Sequence, residues 1–130
     1  MADLRPELFA ADVLAAPDTL ERPAPGLESI RRMAQRARRV LFLGMGSSRY
    51  AALDAAARLR AHGVDAAAEI ASTGSPQPPS ADTLVFAISA TGGSEETVAA
   101  MRRHVGTSMV AGVTSVPGSA IGSEADACLR

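Results

Sequence analysis

Leu84-Val85-Phe86-Ala87-Ile88-Ser89-Ala90-Thr91-Gly92-Gly93-Ser94-Glu95-Glu96-Thr97 is the stretch that decides the fold. Its first five residues are an uninterrupted apolar run, which suits a strand buried on both faces. A Gly-Gly turn follows, with hydroxyls at 89, 91, 94 and 97 around it. From 97 to 104 the pattern is amphipathic, so a helix leads out. A strand-turn-helix of this kind leaves backbone N–H groups free in the turn and adds partial positive charge at the helix start. The hydroxyls can donate further bonds to an anion. A dianionic phosphate group is the ligand that suits this turn best. The alternative is that Ser94 only caps the helix and the glycines only permit the turn, with Gly92 at positive φ. Four hydroxyls in nine residues exceed what one cap needs.

The same signature occurs upstream. Val40-Leu41-Phe42-Leu43 is a short apolar run that ends in Gly44-Met45-Gly46-Ser47-Ser48. A helix is expected over 47–61, ending at His62-Gly63. Strands are expected over 64–70, 83–88 and 109–113, a helix over 95–105, a short helical turn over 119–124, and the opening of a fifth strand over 127–130. The loop 72–80 contains Pro76, Pro78 and Pro79 and cannot be helical. Ahead of the first strand, Ile30, Met33, Ala34 and Ala37 share one face of a helix over 27–39. Arg31, Arg32, Arg36, Arg38 and Arg39 cover the rest, and with no aromatics among them they read as a solvated face rather than a nucleic-acid patch. Residues 1–26 form a Pro-rich N-terminal arm, with Pro6, Pro17, Pro23 and Pro25.

Strands alternating with helices imply an α/β fold. We expect a doubly wound, flavodoxin-like, five-stranded parallel sheet in a three-layer α/β/α arrangement. Ligands of such sheets sit at strand carboxyl ends, where the strand order reverses. If the first and third strands are neighbours, the turns at 44–48 and 89–94 face one crevice. The chain stops where a covering helix is expected, so the fold reads as truncated after the fifth strand. That strand would have nothing of its own to pack over it, and the exposed apolar surface would favour a dimer.

Composition narrows the function. The 130 residues suit one domain, and 47% are apolar. With 3% aromatics, the core must be aliphatic. The net charge of -1 gives no reason to expect nucleic acid as a partner. Cys128 is the single cysteine, which fits a reducing cytoplasm and excludes an internal disulfide. The first residues lack signal-peptide character, and no apolar run approaches the ~20 residues needed to span a bilayer. All 13 basic residues are Arg, so this chain alone supplies no lysine for a Schiff base or a proton relay.

Several signals carry no chemistry. Gly44-Met45-Gly46 lacks the third glycine of a dinucleotide fingerprint, since position 49 is Arg, and Glu69, the nearest acid, lies inside its strand. Ser47 could serve merely as an N-cap. His62 and His104 sit at predicted helix ends, where a cation is favourable and a catalytic role is not expected. Cys128 reads as a small buried strand residue. No metal-ligand spacing occurs, no cofactor is called for, and no catalytic residue is assigned.

Leu41-Phe42-Leu43-Gly44-Met45-Gly46-Ser47-Ser48, Ile88-Ser89-Ala90-Thr91-Gly92 and Val113-Thr114-Ser115-Val116-Pro117-Gly118-Ser119 together resemble the sugar isomerase (SIS) domain family. The resemblance covers 27–130. It extends to the first lobe of the isomerase half of glutamine-fructose-6-phosphate aminotransferase and of relatives that lack the glutaminase domain. It implies phosphosugar binding, with fructose 6-phosphate or glucosamine 6-phosphate as candidates. By position, Ser89, Ala90, Thr91, Gly92 and Ser94 would hold the phosphate, while Met45, Gly46, Ser47, Ser48 and Val116 would line the sugar side. The sequence departs from the aminotransferases at Ala90, where Gln is usual, at Gly93, where Glu is usual, and at Thr73, where Glu is common. In two-lobed members a catalytic Glu follows the fifth strand, and His and Lys come from the second lobe; these positions would fall beyond Arg130. The resemblance therefore implies one lobe of a sugar-phosphate isomerase, deaminase or aminotransferase, binding weakly and not isomerising unaided, with a second lobe or a homodimer partner. A non-catalytic phosphosugar sensor and a truncated remnant remain the alternatives.

Overall fold

The apolar runs 40–43 and 84–87 lie side by side at the centre of a parallel sheet, where both faces of each strand are covered. The computed structural model describes residues 26–129. The predicted arm lies outside the described residues except for Gly26, as does Arg130. In chain order the elements are α1 (Leu27–Arg36), β1 (Arg39–Gly44), α2 (Ser47–Ala61), β2 (Ala66–Ile70), β3 (Thr83–Ile88), α3 (Glu95–Arg102), β4 (Met109–Val113), α4 (Ala120–Glu124) and β5 (Ala127–Leu129). The strands pair in the order β2-β1-β3-β4-β5, and every pairing is parallel. This is the doubly wound, flavodoxin-like arrangement expected from the alternation.

Alternate strand residues feed two cores, one on each face. Val40, Phe42, Leu84 and Phe86 pack with Ile30 and Met33 of α1 and with Ala52, Ala55, Ala56 and Leu59 of α2. Leu41, Leu43, Val85 and Ala87 pack with Val98, Ala100 and Met101 of α3 and Ile121 of α4. Phe42 and Phe86 are register partners on β1 and β3, and their rings stack at 5.2 Å between centroids. Both are fully buried, and each such side chain contributes about 1.5–3 kcal/mol by leaving water. On the second face, Arg102 donates to both carboxylate oxygens of Glu124 at 2.8 and 2.7 Å, tying the end of α3 to α4.

Element ends shift where a hydrogen bond outside the local pattern takes over. α1 ends at Arg36 rather than 39, because Ala37 is extended and the Arg38 and Arg39 amides turn to the Asp82 carbonyl, starting the sheet. β2 begins at Ala66 because the Val64 amide still closes α2 by bonding to Leu59. α3 ends at Arg102, and the His104 and Val105 amides fold back on Met101 before Gly106 turns at φ +86°.

Two expectations are corrected. β5 is not bare: Leu129 is 1% exposed and packs in the cluster that contains Ile30 and Met33. α1 thus covers β5 from the start of the domain, and it comes so close that a Cβ on Gly26 would strike the Cys128 carbonyl. His104 does not sit at a helix end open to water, where a cation would be favourable. It is fully buried, and burial pushes its pKa below the ordinary 6.5, with Glu69 opposing the shift and Arg103 adding to it. Its Nδ1 lies 2.9 Å from Ser108 Oγ, which also accepts the Ser80 N–H at 3.0 Å. His62 is exposed at the end of α2, and Cys128 is half-buried. Among the described residues, no helix is long and apolar enough to cross a membrane.

Candidate functional site

The strand order reverses between β1 and β3. Their register runs level from Arg39↔Thr83 to Leu43↔Ala87, so the turns that follow them leave the sheet side by side at its carboxyl edge. β4 is the next neighbour, and Ile88 pairs with Val113, which brings a third turn alongside. The three turns span 45–48, 89–94 and 114–119.

In the first turn, α2 crosses so close to β1 that a Cβ on Gly44 would lie 2.9 Å from the Ser48 carbonyl. Gly46, not Ser47, occupies the N-cap position, at φ +54° and ψ −129°, a conformation that glycine supports far better than other residues. Ser47 is the first helical residue, and its hydroxyl makes no cap. Gly46 and Ser47 are exposed, and Ser48 is half-buried. Met45 is half-buried and packs into the cluster beneath α3 and α4.

The second turn is held from within by hydroxyls. Ser89 is buried, and its Oγ accepts the Gly92 N–H at 3.0 Å. Thr91 Oγ1 accepts the Gly93 N–H at 3.3 Å. Gly92 sits at φ +70° and is buried. Ser94 does cap α3: its Oγ accepts the Thr97 N–H at 3.4 Å and donates to Glu96 at 3.5 Å. Glu95 and Glu96 are exposed beside the turn. Among the described residues, the amides of Ala90 and Thr91 find no acceptor, and both residues are exposed. The turn thus offers unpaired main-chain donors at the start of an eight-residue helix.

The third turn holds the second in place. The Ser89 amide bonds to the Val113 carbonyl at 3.0 Å, the Ser115 amide to Ala90 O at 3.1 Å, and the Ile121 amide to Gly92 O at 3.2 Å. Thr114 Oγ1 donates to Ala90 O at 3.3 Å and accepts the Val116 N–H at 3.1 Å. Ser119 Oγ donates to Val116 O at 2.6 Å and caps α4 by accepting the Gly122 N–H. Gly92 packs directly on Ser119. Val116 is 46% exposed at the crest of this turn. The sequence reading singles out only Val116 here. Thr114 and Ser119 carry a usable signal, since they are hydroxyls just past a third apolar strand in the pattern already seen after the first and third predicted strands.

The surroundings limit the chemistry. Glu69 does not face a ribose position: its Oε2 accepts the Gln77 N–H at 2.9 Å and its Oε1 is buried without a partner among the described residues. Among those residues, no three His, Cys, Asp or Glu side chains gather where a metal ion could be held. The arrangement is a shallow set of N–H and O–H donors, suited to a compact oxyanion.

Comparison with known proteins bears on the whole domain. The family described as SIS domain matches residues 33–130. No curated protein matches the chain. Among solved structures, the C-terminal domain of glucosamine-fructose-6-phosphate aminotransferase from Francisella tularensis superposes with a TM-score of 0.66 at 20% identity, covering 96% of this chain and 36% of that one. An Escherichia coli CFT073 protein, solved in complex with a ligand, gives 0.73 at 18% identity, covering 95% and 69%. The Vibrio vulnificus NanR protein complexed with ManNAc-6P gives 0.64 at 21%, covering 95% and 49%. At these identities the likeness is one of fold. The chain spans about a third of the aminotransferase domain and about half of NanR.

Proposed function

This chain belongs to the SIS domain family, and from that premise we propose that it binds a phosphosugar at the carboxyl edge of β1, β3 and β4. The observation that carries the reading is the pair of amides at Ala90 and Thr91, without acceptors among the described residues. They are exposed at the strand-order switch and flanked by the hydroxyls of Ser89, Thr91 and Ser94. In this reading the phosphate lies on the 89–94 turn. Ser89 and Thr91 accept main-chain N–H groups with their oxygens, which leaves their own O–H protons to donate to the ligand. Ser94 caps α3 with its oxygen, and its proton turns from Glu96 to the phosphate. Gly46, Ser47, Ser48 and Val116 face the sugar. Met45 contributes its backbone, since its side chain packs inward.

We further propose that residues 27–130 act as the N-terminal lobe of a sugar-phosphate isomerase, deaminase or aminotransferase, taking fructose 6-phosphate or glucosamine 6-phosphate in the cytoplasm. The intact enzyme's reaction would be ring opening and proton transfer between C1 and C2. This lobe's share is remote binding energy, in which anchoring the phosphate orients the reacting carbons. A second lobe or a second copy of the chain is the proposed partner, and Tyr50 and Leu53 on α2 offer it exposed apolar surface. A second reading, a non-catalytic sensor, is favoured by one observation: the fold match to NanR, which was solved with ManNAc-6P bound.

Calorimetric titration with fructose 6-phosphate and glucosamine 6-phosphate tests the proposal, with unphosphorylated fructose and NADH as controls. Binding of the phosphosugars alone supports it. Binding of NADH overturns it in favour of a nucleotide site, and a well-folded chain that binds neither phosphosugar refutes it.

A further inference from the structure

Each peptide unit is planar and trans, so its C=O and its N–H point in opposite directions. Fixing the Ala90 carbonyl therefore fixes the direction of the Thr91 N–H. That carbonyl accepts two bonds from the third turn, from the Ser115 amide at 3.1 Å and from the Thr114 hydroxyl at 3.3 Å. The Thr91 N–H consequently points away from the third turn, toward the exposed side of the loop. The Thr114 oxygen also accepts the Val116 N–H at 3.1 Å, so its single proton and one lone pair each hold a different turn. Thr114 is 4% exposed, which keeps water from replacing either bond.

We propose that Thr114 is a positioning residue for anion binding, aiming the Thr91 N–H at the phosphate and holding Val116 in the same stroke. The inference rests on reading the 89–94 turn as the phosphate site. Thr114 itself touches no ligand. Its effect passes through one peptide plane into the first site and through one amide into the second. Phosphate affinity and the conformation of the Val116 turn are therefore coupled through a single hydroxyl.

The experiment compares the unmodified chain with Thr114→Val and Thr114→Ser, titrated calorimetrically with fructose 6-phosphate and with inorganic phosphate. The Val variant keeps the shape and removes both bonds, so both ligands should bind about tenfold more weakly, the effect of losing one well-placed donor. The Ser variant keeps the hydroxyl and should return to within about twofold of the parent. Amide NMR adds a readout that general loss of packing would not produce: fructose 6-phosphate should move the Thr91 and Val116 signals together in the parent and uncouple them in Thr114→Val. Parent affinity in the Val variant overturns the inference and leaves the phosphate site standing. Equal loss in Val and Ser variants overturns it too, because the hydroxyl would then be irrelevant. A parent chain that binds neither ligand removes the site and the inference together. If the Val variant does not fold, the parent decides: a Thr91 amide unmoved at saturating fructose 6-phosphate overturns the proposal.

Discussion

Gly92→Ala is the substitution for which the structure yields the most definite magnitude. Two costs arise from separate causes. The backbone at Gly92 has φ +70°, where an L-residue costs about 1–2 kcal/mol. The added Cβ would also overlap Ser119 Oγ and stand 2.5 Å from Ser119 Cβ and 2.8 Å from Thr114 Oγ1. Rotating the Ser119 side chain clears only the Oγ, because its Cβ moves only with the backbone. That backbone is tied down by the Ile121 amide on Gly92 O and by the cap of α4. Such overpacking costs about 1–3 kcal/mol. The sum, about 2–5 kcal/mol, is a large part of the roughly 5–15 kcal/mol that holds a domain together. Urea unfolding followed by far-UV circular dichroism should show it as a lowered midpoint with an unchanged slope. A Ser119→Gly background separates the two causes. Glycine costs only a few tenths of a kcal/mol as an N-cap relative to serine, and it removes the two overlapping Ser119 atoms. In that background Gly92→Ala should cost the backbone share plus the remaining close approach to Thr114 Oγ1, giving a coupling of up to about 3 kcal/mol. A Gly92→Ala protein within about 0.5 kcal/mol of the parent would refute the reasoning. An equal cost in both backgrounds would remove the Ser119 contact from it.

Ser89→Ala should weaken fructose 6-phosphate binding by ~1.5–3 kcal/mol and also loosen the turn, since Ser89 Oγ accepts the Gly92 N–H; unchanged affinity by calorimetry would take Ser89 out of the site. Thr91→Ala should weaken binding by a similar amount with a smaller loss of stability, because Thr91 is exposed and its 3.3 Å bond to Gly93 is the longer one. His104 binds a proton more readily unfolded than folded, so the stability it lends is present above its ordinary pKa of 6.5 and is lost as pH falls below that value toward the lower folded one. Unfolding midpoints between about pH 7.5 and 5 should decline in the parent and flatten in His104→Gln; parallel profiles would exclude His104 as the source. Arg102 holds the Glu124 carboxyl below its ordinary 4.5, so this pair's contribution is present above that value and disappears as pH falls through the folded pKa. Glu124→Gln should remove that acid limb and its salt sensitivity, and a limb that survives the substitution would assign it to other carboxylates.

The parts of the fold legible in the sequence are those set by local pattern. β3 and β4 and the helix Ser47–Ala61 begin and end where the apolar runs and the Gly and hydroxyl breaks put them. The parts that are not legible depend on contacts between distant segments. Nothing near Ala37 announces that the Asp82 carbonyl will claim the next two amides and end α1 early. Nothing near β5 announces that α1, at the far end of the domain in sequence, covers it; the expectation of a bare strand comes from assuming that each strand is covered by the helix that follows it. His104 departs from expectation for the same reason. A histidine at a helix end is favourable as a cation only if the end is wet, and the packing of the amino edge decides that.

The candidate site is legible to a different degree, because its donors are main-chain groups. A side-chain site announces itself by residue type. A main-chain site shows only the residues that permit its geometry, and these are Gly46 and Gly92 at positive φ and the hydroxyls that close the turn. Ala90 illustrates the consequence. Judged by its side chain, its place in the turn is a lost contact. Yet its amide has no acceptor among the described residues, and its carbonyl is the group that two donors from the third turn converge on. The element missing from the sequence reading is therefore the orientation of one peptide plane rather than any residue of the turn. That orientation is set by Thr114 and Ser115, which follow a strand adjacent to β3 only because the sheet order makes it so. The alternation of elements leaves more than one strand order open, and the hydrogen bonds that cross from β4 to β3 require both the observed order and the register Ile88↔Val113. Substitutions at 90 should accordingly be tolerated for phosphate anchoring so long as the carbonyl keeps its two donors, whereas Thr114→Val should be felt in a loop whose sequence is untouched.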